Sequence, residues 1–437
     1  MEMAEKYETA FKEMDSVIAQ RIKEGKYAAL GYTSNLDYLC DFSAEKLSWL
    51  LEKYTPDGAL SEMKAYAQIH NIKELLHTMV YYCLNGIGGE AGIQDIKPVA
   101  AGFDRTLGIG GTGTQAAMAL SAVGCPSVVH LTDVSKEVCE ILNQPNIYVV
   151  SGKGELIRTA QAEHAAEQEV HCIIQFKKGE RIRLGQQEAE IPVSNRLILA
   201  NMTVNVEMPF QETYFAYIEQ HAESFASNVL SGFNEVQNLE LLAERLDRIE
   251  RHLQRYKQGN PKGIIFFEDA HYHNCETRRL CIETLYPIVD IVSLNEDELK
   301  YTFEMYCCDK DVEDIISCIE GMKYIRHKFG IRKGIIVHTK DYAMYVGDRR
   351  DIDIEKGLMY GNMLATAKAM NGWYGTRAQV GETLKLSPGC TGINKRSIVS
   401  ENKHKDDVVV VPSQYIDKPK YTIGLGDSFA AGVQLCF

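Results

Sequence analysis

Two stretches of this sequence decide its fold class, Gly263-Ile-Ile-Phe-Phe-Glu268 and Ile288-Val-Asp-Ile-Val-Ser-Leu-Asn295. Each is a short apolar run that ends in a polar residue, and residues 269–287 leave room for one helix between them. Strands that alternate with helices of this length are typical of a mostly parallel sheet with crossover helices on both faces. The two stretches therefore predict an α/β protein.

The same alternation extends along most of the chain. The longest helical pattern runs from Leu239 to Tyr256. Residues 165–205 differ, because several β-like runs follow one another around turns such as Lys178-Gly179-Glu180. We therefore expect a separate, small antiparallel sheet in that segment. Further short apolar runs lie at 128–131, 148–150, 228–230, 334–337 and 408–411.

Composition narrows the class of protein. The 437 residues include 47 Lys and Arg against 60 Asp and Glu, a formal charge of −13, which argues against a nucleic-acid-binding surface. No apolar run reaches the ~18 residues that span a bilayer, and the charged start lacks the apolar core of a secretory signal. The twelve scattered cysteines form no Cys-x-x-Cys pair, as is typical of reduced thiols. We expect a soluble, cytoplasmic protein with no membrane or nucleic-acid partner.

A glycine motif near the C-terminus is the sharpest chemical feature. In Gly424-Leu-Gly426-Asp427 two glycines let the backbone approach a ligand, and the small residues that follow can begin a helix. Backbone N–H groups at a helix start form an anion site. Asp427 could there take a proton from a hydroxyl while the amides steady a phosphoryl group. The alternative is a tight turn that an aspartate caps.

Carboxylates at strand ends form a second candidate site. Glu268 ends one buried strand, and Asn295 and Glu298 follow the next. Open α/β sheets bind ligands at this edge, and oxygen ligands of this kind suit Mg²⁺. A helix-capping box would place Asn295 and Glu298 at the same spacing, so both interpretations stay open.

A third pattern allows a different function. Gly108-Ile-Gly110-Gly111-Thr-Gly113 matches the dinucleotide fingerprint, and Asp133 lies where its ribose-binding acid would be. The segment before Gly108 is barely apolar, whereas a Rossmann site needs a strand there. An NAD(P)-binding oxidoreductase is therefore the alternative hypothesis.

Taken in chain order, these segments resemble the ADP-dependent sugar kinases, the phosphofructokinase and glucokinase group of the ribokinase-like superfamily. Gly424-Leu-Gly426-Asp427 is similar to the family's Gly-x-Gly-Asp motif and Asn295-Glu-Asp-Glu298 to its Asn-x-x-Glu motif. Phe266-Phe-Glu268 is similar to its His-x-Glu motif. Other segments that resemble family motifs are Asn35-Leu-Asp37, Gly110-Gly111-Thr112, His171–Phe176, Asn195–Ile198, Ser231-Gly232 and Val337-His338-Thr339.

The resemblance implies a fold in two parts. One is a ribokinase-like three-layer sandwich around a central, mostly parallel sheet, formed by about 1–37, 106–160 and 206–437. The other is a small β-rich lid, formed by about 38–105 and 160–205, which would close over the sugar and exclude water.

The resemblance also implies a reaction, the transfer of the β-phosphoryl group of ADP to a sugar hydroxyl. Asp427 would be the base, and Gly424 and Gly426 would form the anion hole. Glu268 and Glu298 would hold Mg²⁺ largely through water, and Arg196 would reach the phosphates. The sugar would contact Asn35, Asp37, Glu90, Gly110, Gly111, Thr112, Gln175 and Lys178, and the nucleotide Ser231, Gly232, Asn295, His338, Thr339 and Gly426.

The choice of sugar is a further expectation. Lys177, Lys178, Arg181 and Arg196 form a basic group in the lid segment, which favours a phosphorylated sugar such as fructose 6-phosphate. Glu90 and Gln175 would instead suit glucose. Two departures from the family pattern, Phe266 for His and Thr112 for Asn, leave a non-catalytic sugar or nucleotide binder as a further hypothesis.

Overall fold

The chain divides into two compact units in the computed structural model, which describes residues 2–95, 99, 102–402, 407–416 and 419–437. Unit 1 comprises Met1–Ser34, Gly111–His164 and Val206–Phe437. Unit 2 comprises Asn35–Gly110 and Ala165–Asn205. No helix among the described residues is long and apolar enough to cross a membrane.

The strands are short, as buried strands of an α/β protein usually are. In chain order they are β1 Tyr27–Leu30, β2 Asn35–Asp41, β3 Gln68–Ile69, β4 Gly89–Ile93, β5 Arg105–Gly110, β6 Ser127–Val129, β7 Ile147–Val150, β8 Leu156–Arg158, β9 Val170–Phe176, β10 Arg181–Leu184, β11 Gln187–Glu190, β12 Asn195–Asn201, β13 Phe225–Leu230, β14 Ile264–Glu268, β15 Ile291–Asn295, β16 Gly334–His338, β17 Tyr342–Gly347 and β18 Val408–Pro412.

The helices mostly begin at polar capping residues, for example Asn238, Asn274 and Asp314, whose side chains accept a hydrogen bond from the first turn. In chain order they are α1 Met3–Lys23, α2 Ala44–Tyr54, α3 Ile72–Asn85, α4 Thr112–Ala122, α5 Lys136–Ile141, α6 Glu212–Gln220, α7 Leu239–Gly259, α8 Cys275–Leu285, α9 Glu296–Met305, α10 Ile315–Phe329, α11 Ile354–Asn371, α12 Arg377–Glu382, α13 Cys390–Ser400 and α14 Leu425–Val433.

Unit 1 contains a ten-stranded sheet in the order β18-β17-β16-β15-β14-β13-β1-β6-β7-β8. The strands from β16 to β7 pair in parallel, and the outer pairings are antiparallel. Parallel strands end at a common edge, so Glu268, Asn295 and His338 all lie at the carboxyl edge of this sheet. The expected mostly parallel α/β sheet is confirmed.

Helices cover both faces of this sheet. Phe266 and Phe267 are adjacent and fully buried, so their side chains point to opposite faces. The ring of Phe267 packs against Tyr286 beyond helix α8, with ring centroids 6.1 Å apart. The ring of Phe266 packs against Phe437 beyond helix α14, at 6.2 Å. Because both faces are covered, the central strands are buried on both sides and are mostly apolar.

Unit 2 contains a six-stranded sheet in the order β3-β4-β12-β9-β2-β5 and the separate hairpin β10-β11. The pairs β9–β12 and β2–β5 are antiparallel, but β2–β9 and β4–β12 are parallel. The sheet is therefore mixed. The strands of residues 165–205 pair antiparallel with one another, as predicted, but β9 and β12 belong to one sheet with β2 to β5, and only the hairpin β10-β11 forms a separate sheet. The parallel pairings join strands that are distant in sequence, which a local pattern does not reveal.

The dinucleotide fingerprint does not have the predicted context. Gly108 and Gly110 lie inside β5, which pairs antiparallel with β2 in the small sheet of unit 2. Asp133 is fully buried, and its Oδ1 accepts a hydrogen bond from Ser135 N at 2.7 Å. A Rossmann site requires a parallel strand that feeds the glycines. The oxidoreductase hypothesis was therefore wrong.

Candidate active site

The motif Gly424-Leu-Gly426-Asp427 lies at the start of helix α14 in unit 1, as the sequence predicts. Gly424 precedes the helix with a φ of 63°, in the left-handed region that favours glycine. Asp427 lies in the first turn of the helix. The first N–H groups of a helix have no partner within it, so this turn can bind an anion beside the Asp427 carboxylate.

Two buried side chains that the sequence analysis did not single out support the Gly424 loop. Lys368 of α11 is only 2% exposed, and its Nζ donates to Gln115 Oε1 and, at 3.3 Å, to Gly424 O. The Tyr374 hydroxyl also donates to Gln115 Oε1, at 3.2 Å. A Cβ at position 424 would overlap Gln115 and Lys368. Sequence reasoning missed these contacts because they join segments distant in the chain.

Glu268 forms a buried ion pair with His338 at the carboxyl edge of the ten-stranded sheet. Its Oε1 accepts a hydrogen bond from His338 Nε2 at 2.9 Å. Burial raises the pKa of Glu268, although His338 opposes this, and the charge of Asp427 raises it further. Burial opposes protonation of His338, but the Glu268 carboxylate prevails and raises the pKa of His338.

Gly426 lies against this pair. A Cβ built on Gly426 would come within 3.1 Å of His338 Cε1 and 3.9 Å of Glu268 Oε1. The glycine therefore lets the helix start approach the Glu268–His338 pair closely. The structure thus brings Gly426, Asp427, Glu268 and His338 together, although they come from three distant segments.

Asn295 and Glu298 form a capping box at the start of α9. Asn295 Oδ1 accepts from Glu298 N at 2.9 Å, and Glu298 Oε2 accepts from Asn295 N at 2.8 Å. Burial and the charge of Asp269 raise the pKa of Glu298 to about 8. A carboxyl group that is costly to ionise in a buried site would gain from a cation nearby. Asn295 and Glu298 can therefore cap the helix and, at the same time, orient a metal ion.

The residues present fit a hard divalent cation. Glu268 Oε2 is buried and has no hydrogen-bond partner of good geometry among the residues that the structure describes, although the neighbouring Ser293 hydroxyl lowers the pKa of Glu268. Three or more His, Cys, Asp or Glu side chains do not converge to form a metal site in the described part of the chain. Mg²⁺ typically uses one or two carboxylates together with waters and substrate phosphates. A carboxylate oxygen left without a partner beside an anion site suits that mode of binding.

The other predicted residues of unit 1 lie at nearby strand ends or helix starts. Ser231 and Gly232 follow β13, and Gly232 has a φ of 87°, where an added Cβ would collide with the Thr33 side chain. Thr339 follows His338, and its hydroxyl donates to Tyr342 O at 3.0 Å within a turn. Gly111 has a φ of 90° and precedes Thr112, the first residue of α4.

The predicted sugar residues of unit 2 share one face of its sheet. Residues that are paired across neighbouring strands point to the same face of a sheet. The register pairs Asp37 of β2 with His171 of β9, and Gln175 of β9 with Arg196 of β12. Ile198 of β12, two residues after Arg196, is paired with Glu90 of β4. Asn35 and Gly110 are also paired. The face therefore carries Asn35, Asp37, His171, Gln175, Arg196 and Glu90.

A hydrogen-bonded polar cluster lies on this face. Asn35 Nδ2 donates to Asp37 Oδ1 at 2.6 Å and lies 3.3 Å from His171 Nδ1. His171 Nε2 in turn lies 3.3 Å from Oε1 of Glu169, which is fully buried. Thr203 N and Oγ1 donate to the other oxygen of Glu169, at 2.7 and 2.8 Å. His171 had no predicted role, although its spacing from Gln175 in one strand places both residues on one face.

The predicted basic group is more dispersed than its spacing implies. Lys178 is exposed at the turn before β10, where Gly179 has a φ of 91°. Arg181 forms ion pairs with Glu188 at 2.8 Å and Glu190 at 3.2 Å, so its charge is already balanced. Arg196 lies on the polar face of the sheet.

Phe266 stands at the position where the resemblance implies a histidine, and its side chain is fully buried. Its ring lies in the apolar layer against Phe437, and Glu268 obtains its hydrogen bond from His338 instead. The pairing comes from β16, two strands away from β14.

Comparisons with known proteins agree with this geometry. The model of the ADP-specific phosphofructokinase/glucokinase conserved region matches residues 26–435. An ADP-specific phosphofructokinase of Pyrococcus furiosus is 24% identical, over 94% of this chain and 96% of that protein. An ADP-dependent glucose/glucosamine kinase of Pyrococcus abyssi is also 24% identical, over 93% of each chain.

A solved structure shares the fold. It is described as an ADP-dependent kinase complex with fructose-6-phosphate and ADPβS, and it superposes with a TM-score of 0.78 at 18% identity, over 99% of this chain and 97% of that one. The family match covers nearly the whole chain and includes both units. This chain therefore belongs to the ADP-specific phosphofructokinase and glucokinase family.

Proposed function

We propose that the protein transfers the β-phosphoryl group of ADP to a hydroxyl of a hexose or hexose phosphate, releasing AMP. The observation that carries this proposal is the helix start at Gly424–Asp427, which lies against the buried Glu268–His338 pair. A base, an anion site and a carboxylate fit for Mg²⁺ are the parts that phosphoryl transfer requires.

Each residue has a role in the proposed reaction. Asp427 accepts the proton of the attacking hydroxyl as its oxygen bonds to the β-phosphorus, and the bond from that phosphorus to the bridging oxygen breaks. The N–H groups after Gly424 stabilise charge on the transferred group. Glu268 and Glu298 would hold Mg²⁺, which supplies neutralisation of the phosphate oxygens when bound. Arg196 provides a further cation for phosphate.

The nucleotide and the sugar are assigned to different residues. Ser231, Gly232, Asn295, His338 and Thr339 lie at the carboxyl edge of the unit 1 sheet, where α/β folds bind nucleotides. The polar face of unit 2 supports a polyhydroxyl ligand, because its paired carboxylates and amides can donate to and accept from hydroxyl groups. Gly110, Gly111 and Thr112 would contact the sugar through their backbone or hydroxyl.

Fructose 6-phosphate is the proposed substrate in preference to glucose. Its phosphate carries about two negative charges at neutral pH, which Arg196 and Lys178 would neutralise. Glu90 on the same face would instead suit an uncharged sugar. A cytoplasmic location is also proposed, because the twelve cysteines are free thiols.

The test is a substrate panel with purified protein. Formation of the phosphorylated sugar is measured with ADP–Mg²⁺ or ATP–Mg²⁺ as donor and with fructose 6-phosphate or glucose as acceptor. We expect transfer from ADP, with release of AMP, and none from ATP, and a higher kcat/KM for fructose 6-phosphate that falls in Lys178→Ala. Preference for glucose would contradict the sugar assignment alone, whereas no transfer to any sugar would contradict the proposed reaction.

A further inference from the structure

Arg278 of helix α8 is one of the largest fully buried side chains in the described part of the protein, at 1% exposure. Its neighbour Arg279 is exposed. Removal of a guanidinium from water costs several kcal/mol unless hydrogen bonds replace the lost hydration. A buried arginine next to an exposed one therefore indicates that position 278 has specific partners.

The Arg278 guanidinium contacts two segments. Nη2 donates to Asp269 Oδ2 at 3.0 Å, to Glu298 O at 2.9 Å and to Thr302 Oγ1 at 2.9 Å. Nη1 donates to Ala270 O at 3.1 Å. One planar group thus connects the residues that follow β14 with the first turns of α9.

These two segments carry the carboxylates of the candidate metal site. Asp269 directly follows Glu268, and its N–H donates to Ser293 O of β15 at 2.8 Å. Glu298 is held at its carbonyl by Arg278 and at its carboxylate by Asn295 N. Arg278 therefore fixes the backbone beside Glu268 relative to the backbone of Glu298.

Other side chains hold the same connection. The Tyr286 hydroxyl donates to Asp269 Oδ2 at 3.1 Å, the oxygen that Arg278 also contacts. Thr302 Oγ1 donates to Glu298 O at 2.8 Å while it accepts from Arg278. The donors of a guanidinium lie in one rigid plane. These acceptors together therefore restrict the Arg278 guanidinium to a single orientation.

We propose that Arg278 is a positioning residue for the metal–nucleotide site, which sets the separation of the Glu268 and Glu298 carboxylates without touching the substrate. This inference rests on the proposed function. Lysine cannot replace arginine here, because a single ammonium group cannot span acceptors that the guanidinium reaches from two nitrogens.

The experiment measures metal binding and not turnover. Mg²⁺ is titrated into protein saturated with ADP, and the thermal unfolding temperature reports occupancy. We expect Arg278→Lys to shift the Mg²⁺ midpoint 10–100-fold higher, the range typical of residues that orient metal ligands. Affinity for AMP, which lacks the β-phosphate, should stay within about twofold. The matched control Arg279→Lys should leave both values unchanged.

Two further variants keep the inference falsifiable if Arg278→Lys fails to fold. Tyr286→Phe and Thr302→Val each remove one member of the connection at nearly constant volume, and each should raise the Mg²⁺ midpoint severalfold. An unchanged midpoint in all folded variants, or an equal loss of AMP and Mg²⁺ affinity, would overturn the inference. If the wild type shows no Mg²⁺-dependent stabilisation with ADP, the proposed function itself fails.

Discussion

Single residues carry most of the chemistry of the candidate site. The position of Glu268 at the end of a strand could be predicted, because an apolar run precedes it in the sequence. Its partner His338 comes from a strand near position 336, some seventy residues later along the chain. The carboxylate was predictable, but its hydrogen-bond partner depends on sheet order.

Glu268→Gln should raise the Mg²⁺ requirement of the reaction. The amide keeps the shape but loses the charge that would hold the cation or its waters, and such changes commonly cost 10–100-fold in affinity or activity. The measurement is the dependence of AMP formation on free Mg²⁺, with the exposed Glu304→Gln as control. An unchanged Mg²⁺ dependence would exclude Glu268 from the metal site.

We expect the free energy of unfolding to decrease at mildly acidic pH because His130 is buried in its neutral form. Its ring is fully buried, it lies 2.9 Å from Tyr32 O through Nδ1, and Nε2 accepts from Gln211 N at 3.1 Å. Burial lowers the pKa of His130 to about 4. The unfolded chain binds this proton near pH 6.5 and the folded chain does not, so stability falls as pH falls between these values.

The expected loss from His130 is about 2 kcal/mol between pH 7 and pH 5. Urea unfolding at the two pH values measures it. In His130→Gln, which has no titratable ring, this part of the pH dependence should disappear. The same pH dependence in wild type and variant would show that other groups cause it.

At the scale of elements, the proposed function depends on the start of α14 and on the polar face of the unit 2 sheet. The start of the helix was predictable, because glycines followed by a run of small residues indicate a helix start from local sequence alone. The polar face was predictable only in part. Asn35 and Asp37 alternate along one strand, but their proximity to His171 depends on the parallel pairing of β2 with β9.

Gly424→Ala should damage both stability and activity. The alanine must adopt a φ of 63° and its Cβ would overlap Gln115 and Lys368. Gly330→Ala is the matched control, because Gly330 has a φ of 69° and nothing within 4 Å of the added Cβ. The control should lose only the ~1 kcal/mol of left-handed strain.

The measurement is thermal unfolding together with kcat. We expect Gly424→Ala to unfold at a lower temperature than Gly330→Ala and to lose at least tenfold in kcat. Equal effects of the two substitutions would mean that the support from Lys368 and Gln115 does not matter.

His171→Ala should weaken sugar binding and leave nucleotide binding intact. The imidazole uses both ring nitrogens to connect Asn35 with the fully buried Glu169, so its loss removes the support that orients Asn35 on the polar face. If the misplaced amide loses one hydrogen bond to an uncharged ligand group, at about 1 kcal/mol, KM for the sugar should rise roughly fivefold.

The control for His171 is His70→Ala, since His70 is exposed in the same unit. Steady-state kinetics with each substrate varied in turn separate the two KM values. A rise in KM for ADP of the same size would contradict the assignment of His171 to the sugar.

At the scale of the whole molecule, the order of the motifs along the chain was sufficient to predict the fold class and the family. The alternation of strands and helices predicted a mostly parallel sheet, and the carboxylate motifs lie at its carboxyl edge. The glycine fingerprint at Gly108 led to a wrong hypothesis, because β5 pairs antiparallel with β2 and this pairing cannot be predicted from the motif alone. The buried contacts of Arg278 and Lys368 were not predictable, since burial of a charged side chain depends on tertiary packing.

The central claim is that Asp427 removes a proton from a sugar hydroxyl during transfer from ADP. The most direct measurement is single-turnover formation of AMP by wild type and Asp427→Asn, with ADP binding measured on the same samples and the exposed Asp247→Asn as control. We expect Asp427→Asn to turn over 10²–10⁴-fold more slowly than the wild type, with an ADP affinity within about threefold. A rate reduced less than about tenfold, or a wild type that binds ADP and forms no AMP, would contradict it.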